Sequence, residues 1–436
     1  MKDQKSSYFA LVLKQFRRNK LAVGALWFVA ALVIVALGAD FIANDRPLFL
    51  VYDGRVYYPA LRGILVDQGL TTFQPEFRNK KFKRLIHQRP RLEESVGYWL
   101  GPAIEDGGRR YRARTGEPEP KRIGVAHKDG ISQNENLALE ERLRIKAAMR
   151  DSIMADIERQ PGFSGISFLD DSQPISGFHP GQNQHIWYVL FPPIPFSPND
   201  FDLNAIIQPP SARHWLGTDD TGRDLASRLI HGTRISLSIG LVAVSIYITI
   251  GVILGSLAGY FGGWIDITIS RVIELMICFP VFFLILAIVA YLPQSIYNIM
   301  IVIGVTGWAG VARLVRGEFL RMRDIDYVQA ARALGFPTSR IIFRHILPNA
   351  LAPVFVSATF GVAVAILTES SLSFLGFGVP PNVASWGSIL AQARIILPAG
   401  WWITTFPGLA IFMTVTVLNL VGEGLRDAMD PRLARR

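Results

Sequence analysis

Six long apolar segments alternate with polar connections along the chain. An α-helix needs roughly 20 apolar residues, at about 1.5 Å each, to cross a hydrocarbon core of about 30 Å. The pattern therefore predicts an α-helical integral membrane protein with six transmembrane helices. The predicted spans are Leu21–Ala39, Ile235–Ile265, Val272–Leu292, Ser295–Val311, Leu351–Phe377 and Leu397–Val421.

The first span has an alternative interpretation as a secretory signal peptide, because "VALGA" before Asp40 resembles a cleavage site. Its 19 residues exceed the usual apolar region of about 7–15, and five further spans follow. We favour an uncleaved transmembrane helix 1 within residues 21–43. Before it, Tyr8, Val12 and Phe16 form one helical row, which predicts an interfacial helix within residues 1–20. A disordered basic tail is the alternative.

The charge distribution orients these spans. The formal net charge is +10. Such a charge is consistent with binding to nucleic acid, with binding to an anionic membrane surface, or with the positive-inside bias of membrane proteins. Six basic residues precede the first span against Asp3 alone, so we expect the N-terminus in the cytoplasm, and six crossings return the C-terminus there. Residues 44–216 are nearly neutral, with 23 basic and 21 acidic residues. Membrane topology, and not nucleic acid, explains the charge.

The segment 44–216 is too long for a simple connection. Asp53-Gly54 lies between aromatic and β-branched runs, a typical hairpin signal, and residues 185–202 contain a further short strand. Leu137–Arg159 has a helical composition. We therefore expect a small α+β insert domain on the periplasmic side. His179 and His185 lack carboxylate or thiolate neighbours at ligand spacing, so solvated loop histidines are favoured over a metal site.

Few polar or small residues stand out within the spans. Gly251, Gly255 and Gly259 repeat every four residues, which indicates close helix packing. Glu274 and Glu369 lie inside apolar runs, where a carboxylate lines a pathway or makes a structural hydrogen bond; the sequence leaves both open. The single Cys278 is interpreted as a small buried residue, so no internal disulfide is expected.

A helix-Gly-helix pattern lies between the fourth and fifth spans. Asp326–Leu334 reads as a short helix, Gly335 suits a left-handed C-terminal residue, and Pro337 suits the first turn of a second helix running toward Pro348. The connection is basic and expected in the cytoplasm, so it suits docking to a partner; an ordinary amphipathic surface helix is the alternative. Its arginines are Arg313, Arg316, Arg321, Arg323, Arg332, Arg340 and Arg344.

This segment resembles the EAA loop of ABC importer permeases, whose pattern is Glu-Ala-Ala, three residues, Gly, and later Leu-Pro. Gln329 stands where the family has Glu. "RHILPN" (Arg344–Asn349) is similar to the version in dipeptide and oligopeptide permeases. The resemblance implies an ATPase-docking coupling loop within residues 313–350, comprising Gln329, Ala330, Ala331, Gly335, Phe336, Pro337, Leu347 and Pro348.

Other segments resemble the C-type branch of the same family. They are "HWLGTDDTGRDLASRLIHGTRISLSIG" (His214–Gly240), "ESSLSFLGFGVPPNVASWGSIL" (Glu369–Leu390) and the terminal "GLRDAMDPRLARR". "FIANDRPLFLVYDGRVYYPAL", directly after the first span, looks like the YejE-type subgroup associated with oligopeptide and microcin C import. The resemblance implies a type I ABC importer fold with its permease core in residues 217–436.

The resemblance also implies partners and a membrane. The chain would be a non-catalytic permease in the bacterial inner membrane, joined by a second homologous permease, two ATP-binding subunits and a periplasmic peptide-binding protein. Its expected contacts are membrane lipid and a peptide substrate, with no nucleic acid. ATP and magnesium would bind to the partner ATPases, and this chain would hold no cofactor, metal or catalytic residue.

Two other function classes remain as alternatives. A secondary transporter is expected to show internal repeats with interrupted helices, and no convincing repeat is visible. A membrane-anchored enzyme would carry its chemistry in the insert, but the sequence contains no nucleophile elbow, HExxH or spaced metal set. The chain also contains no GxxxxGK[ST] phosphate-binding loop.

Overall fold

The computed structural model describes residues 8–52, 55–67, 70–71, 177–178, 186–202, 205–396 and 400–429. The predicted helix Leu137–Arg159, His179 and His185 lie outside them. The chain forms two compact units. The helical unit comprises residues 1–36, 232–391 and 406–436, and the sheet unit comprises residues 37–231 and 392–405.

The sheet unit contains a four-stranded antiparallel sheet in the order β2-β1-β4-β3. Tyr52 pairs with Arg55, so two residues connect β1 to β2 and the predicted hairpin is confirmed. Leu50 and Val189 face each other across β1 and β4 and are buried. The elements are α3 (Ala39–Ile42), β1 (Phe49–Tyr52), β2 (Arg55–Tyr57), α4 (Pro59–Asp67), β3 (Gly177–Phe178) and β4 (Ile186–Leu190).

The remaining elements are helices. The helix expected before the first span is present as α1 (Tyr8–Phe16). The others are α2 (Lys20–Leu37), α5 (Leu225–Phe261), α6 (Gly263–Cys278), α7 (Val281–Ala290), α8 (Ile296–Thr306), α9 (Trp308–Met322), α10 (Asp326–Ala333), α11 (Thr338–Arg340), a π-helix (Ile341–Ile346), α12 (Leu347–Ala350), α13 (Ala352–Phe374), α14 (Trp386–Ile396) and α15 (Trp401–Met429).

Five of the helical stretches described are long and apolar enough to cross a membrane. They are Lys20–Leu37, Leu225–Phe261, Ile296–Met322, Ala352–Phe374 and Trp401–Met429, and each overlaps one predicted span. A sixth crossing exists if the bent pair α6 and α7 forms one span. The predicted number of six therefore depends on that pair.

The third predicted span, Val272–Leu292, is wrong as a single helix. Helices α6 and α7 meet at an angle of 81°. Phe279 has extended backbone (φ −87°, ψ 135°) because the ring of Pro280 disfavours the helical conformation in the preceding residue. The number of apolar residues indicates how favourably a segment transfers into lipid, but it does not reveal a break in the helix. Cys278, beside the break, is exposed and not buried as predicted.

The second predicted span has different ends. Helix α5 begins at Leu225 instead of Ile235, because its polar first turns add nothing to an apolar run. It ends at Phe261, before Gly262 and Gly263, which have φ of 67° and 54°. A side chain disfavours that left-handed region, so two successive glycines allow a tight reversal before α6.

The glycine stripe of α5 lies directly against α9. A Cβ on Gly251 would be 2.7 Å from Val311 Cβ, one on Gly255 would be 2.5 Å from the Ala312 carbonyl oxygen, and one on Gly259 would be 2.5 Å from Phe319 Cβ. No real Cβ approaches other atoms so closely. The two helices therefore touch through backbone, as small residues allow in membranes.

We predict that Gly255→Ala destabilises the protein, because the added methyl group meets the Ala312 carbonyl, which belongs to rigid helix backbone. Overpacking of this kind costs roughly 1–3 kcal/mol. Thermal unfolding of the detergent-purified chain measures the effect. Gly317→Ala, in the facing helix α9, adds a methyl group to open space and is the matched control. Equal stability of both variants would contradict the close contact.

Candidate functional site

The segment between α9 and α13 contains the predicted helix-Gly-helix. Helix α10 (Asp326–Ala333) begins after Ile325, whose backbone is extended. Gly335 has φ of 73°, in the left-handed region expected for it. The Gly335 N–H donates to the Arg332 carbonyl and the Phe336 N–H to the Ala331 carbonyl, at 2.9 and 3.1 Å. These bonds close the end of α10 and turn the chain toward the second helix.

The second helix is not the continuous α-helix that the sequence suggests. After the single turn of α11, Ile341–Ile346 is a π-helix, and the Leu347 N–H donates to the carbonyl of Ile342, five residues back. Pro348 has no N–H to donate, and its ring would collide with the carbonyl four residues back in an α-helix. The wider turns before it accommodate that ring.

Contacts between the two helices fix their relative position. Val328 and Ala331 of α10 are buried, as are Ile342 and Ile346 of the π-helix, and the two elements are in contact. The rings of Phe336 and His345 stack at 6.0 Å. The guanidinium of Arg340 lies 4.3 Å above the Phe336 ring, and the Tyr327 hydroxyl donates to the His345 carbonyl at 3.4 Å. The helix pair therefore has one defined shape.

Two large apolar side chains of this segment are exposed. Leu334 is 74% exposed and Phe343 is 67% exposed. Ala331 is buried inside this chain, whereas its neighbour Ala330 is exposed. Gln329, Gly335, Pro337 and Pro348 are exposed, whereas Phe336 and Leu347 are half-buried. Gln329 donates its side-chain N–H to the Asp324 carbonyl at 3.0 Å.

The two carboxylates within the predicted spans differ in environment. Glu274 is exposed on α6 and pairs with Arg271, three residues earlier, at 2.7 Å. Glu369 is fully buried in α13. Its Oε1 accepts hydrogen bonds from the hydroxyls of Ser373 and Ser385, at 2.7 and 2.8 Å. Sequence reasoning found the carboxylate but missed these hydroxyl partners.

Ser385 fixes the direction of this network. Its hydroxyl oxygen accepts the Ser388 N–H at 3.0 Å, so its own proton points to Glu369. The following Trp386 begins α14, is buried, and donates its backbone N–H to the hydroxyl of Ser236 in α5 at 3.2 Å. Glu369 thus fastens the start of α14 to α13, which supports the structural alternative for this residue.

A second polar cluster lies in the sheet unit, just before α5. The Asp219 carboxylate accepts Arg223 Nε at 2.7 Å and has Arg228 Nε at 3.7 Å, all three being buried. Burial raises the pKa of Asp219, but the charges of both arginines, with hydrogen bonds from Arg223 and Thr221, outweigh it and hold that pKa below its ordinary value. His214 Nδ1 lies 2.9 Å from Asp224 Oδ2. Charged partners explain why this polar segment is buried.

Comparisons with known proteins agree with this architecture. The family model of the N-terminal TM domain of oligopeptide transport permease C matches residues 7–54. The model of the binding-protein-dependent transport system inner membrane component matches residues 251–435.

Two curated relatives are similar over more than half of this chain. The dipeptide transport system permease protein DppC of Alkalihalophilus pseudofirmus is 42% identical over 57% of this chain and 82% of its own. The oligopeptide transport system permease protein OppC of Bacillus subtilis is 40% identical over 57% and 83%. A chain of the MetNI methionine ABC transporter, solved in inward facing conformations, is 16% identical with a TM-score of 0.36, covering 45% of this chain and 96% of that one.

The fold is that of a type I ABC importer permease. The chain belongs to the family of binding-protein-dependent transport system inner membrane components, in its dipeptide and oligopeptide permease C branch.

We predict that Glu369→Gln retains stability and transport, because a side-chain amide still accepts both serine hydroxyls. Glu369→Leu should lose about 1–3 kcal/mol for each buried hydroxyl left without a partner. Thermal unfolding and uptake by the reconstituted complex measure this. Glu274→Leu, at the exposed carboxylate, is the control and should behave as wild type. A stable Glu369→Gln that does not transport would show that the charge is required.

Proposed function

We propose that this chain is one of two membrane subunits that form the translocation pathway of an ATP-driven importer. The observation that carries the proposal is the helix pair α10 and π-helix, which is held by buried apolar contacts and is flanked by the exposed side chains of Leu334 and Phe343. One of two cytoplasmic ATPase subunits is the proposed partner of this helix pair. The chain itself has no GxxxxGK[ST] loop, so ATP and magnesium belong to those subunits.

Peptides are the proposed substrate class. The relatives are named as dipeptide and oligopeptide permeases, and on that basis we assign peptide cargo to this chain. The similarity of residues 41–61 to the YejE-type subgroup extends the proposal to longer peptides, including microcin C. A periplasmic binding protein would deliver them. A peptide-length series in the uptake assay below separates short from long cargo.

The proposed mechanism is alternating access. ATP binding closes the ATPase pair, and the docked helices carry that movement into the spans, so that the pathway opens first outward and then inward. Such a two-state change is biased by nucleotide only if the docking element moves as a rigid body. The stacking of Phe336 on His345 and the hydrogen bond from Tyr327 to the His345 carbonyl support such rigidity.

Gly335→Asp tests the docking role. Its left-handed backbone penalises a side chain by about 1–2 kcal/mol, and the added carboxylate points into open space. We expect normal expression with loss of peptide uptake and of substrate-stimulated ATP hydrolysis. The measurement uses the complex reconstituted with its binding protein.

Gly376→Asp is the matched control for that variant. Gly376 also has a positive φ, of 91°, and no atom within 4 Å of its Cβ position, but it lies in the α13–α14 connection. The backbone penalty in Gly376→Asp is therefore comparable to that in Gly335→Asp. The ATPase should still co-purify with the Gly376→Asp chain. Unchanged uptake and stimulation in Gly335→Asp would refute the assignment of this segment as the coupling element.

The proposed orientation puts both termini and the coupling segment, which we define as residues 323–351 between α9 and α13, in the cytoplasm and residues 44–216 in the periplasm. In a Cys278→Ser background, Ala212→Cys and Ser339→Cys introduce exposed small thiols in the two regions. An impermeant maleimide added to intact spheroplasts should label Ala212→Cys at once and Ser339→Cys only after lysis. The reverse pattern would overturn this topology.

A further inference from the structure

Three arginines of α9 and the coupling segment hold the turn between α5 and α6. Arg316 makes a two-pronged ion pair with Asp266, through Nε to Oδ1 and through Nη2 to Oδ2 at 2.8 Å. Arg323 Nη1 lies 3.5 Å from the Gly259 carbonyl oxygen. The guanidinium of Arg332 lies 5.2 Å above the ring of Tyr260. We call Arg316, Arg323 and Arg332 the arginine clamp.

The local sequence explains how the turn meets the clamp. Gly262 and Gly263, both at positive φ, reverse the chain within two residues. The reversal puts Asp266 in the first turn of α6, where the helix dipole also favours a carboxylate. The fork of a guanidinium matches both oxygens of a carboxylate, so the pair fixes orientation as well as distance. Both side chains are largely covered, with 31% and 19% exposure.

Two other ion pairs on α6 and α9 do not join different helices. Arg271 pairs with Glu274 within α6, and Arg321 pairs with Glu318 within α9, each three residues apart and exposed. Such pairs lie on the surface of a single helix and contribute little to stability. Arg316 and Asp266 are 50 residues apart and join two different spans. This pair therefore constrains how α6 sits on α9.

The helix that the clamp holds leads to the broken span. Helix α6 packs along α9 and ends at Cys278, immediately before the 81° bend at Phe279-Pro280. The glycine stripe packs α5 against α9 as well. Helices α5, α6 and α9 and the coupling segment are thus joined as one body, whereas the proline break interrupts the backbone hydrogen bonds between α6 and α7.

We propose that the arginine clamp transmits the movement of the coupling segment to α6, and that the Phe279-Pro280 bend is the hinge that absorbs it. Arg316 is then a positioning residue for coupling, acting through Asp266. This inference rests on the proposed function, because it needs an ATPase that moves the coupling segment. It adds a lateral route to the direct chain connection from the π-helix into α13.

The native Cys278 is a reporter at this hinge, since it is the only cysteine of the chain and is exposed. The full complex is assembled with partner subunits that lack cysteine and reconstituted in liposomes. Alkylation of Cys278 by N-ethylmaleimide is timed without nucleotide and with vanadate-trapped ADP. In wild type we expect the two rates to differ by at least about fivefold, the lower end of typical coupling between sites.

Variants of the clamp separate transmission from docking. Arg316→Ala should abolish the rate difference while the ATPase subunits still co-purify, and Asp266→Asn, which keeps the size but removes the charge, should do the same. Asp266→Asn also serves if the Arg316→Ala chain is not expressed in the membrane. Exchanging the charges, Arg316→Asp with Asp266→Arg, should restore the difference. Arg271→Ala, which removes an ion pair within α6, should leave it as in wild type.

Several results would overturn the inference. They are an unchanged rate difference in Arg316→Ala and Asp266→Asn, no nucleotide response of Cys278 in wild type, no restoration by the charge exchange, or loss of the ATPase subunits from Arg316→Ala. The last would make Arg316 a docking residue. Failure of the proposed function is distinct, because the wild-type chain would then not retain ATPase subunits at all.

Discussion

The contact between α5 and α9 is the constraint on which the helical core depends. Lipid supplies no hydrophobic drive for two helices to associate, so van der Waals contact must hold them, and it decays within fractions of an ångström. Gly251, Gly255 and Gly259 leave α5 without side chains at that contact. The same approach brings the Arg316 backbone against Gly255 and Gly259. Its long side chain then extends past the end of α5 to Asp266.

The positions of the membrane spans can be predicted from the sequence, because the free energy of transferring a segment into lipid depends on its amino-acid composition. All five candidate spans overlap predicted segments. The bent pair α6 and α7 also overlaps the predicted span Val272–Leu292, but its break is not predicted, since that apolar run has no charge after Glu274 to mark an interruption. Pro280 was the available signal, because it removes a backbone donor and restricts Phe279. Pro348 gave a similar local signal for the π-helix.

Some features of the candidate site have a local cause in the sequence, whereas others depend on tertiary contacts. Helix α10 ends at Ala333, and Gly335 follows two residues later, where helix ends commonly have left-handed backbone. The sequence therefore predicts the positive φ of Gly335. The burial of Ala331 and the exposure of Cys278 depend on which neighbours the fold brings, and one sequence does not contain that information. The serines around Glu369 are similar: Ser373 is one helical turn away, but Ser385 reaches it from another helix.

Transport by alternating access needs stiff bodies that meet at a few soft points, since a uniformly flexible chain would dissipate any movement imposed at one end. Three kinds of contact provide stiffness here: backbone-to-backbone packing at the glycine stripe, the two-pronged Arg316–Asp266 pair, and ring stacking of Phe336 on His345. Each loses most of its favourable energy after a small displacement. The Phe279-Pro280 break has no continuous hydrogen-bond ladder to resist rotation. In the proposed mechanism, movement imposed at the coupling segment therefore concentrates at that break.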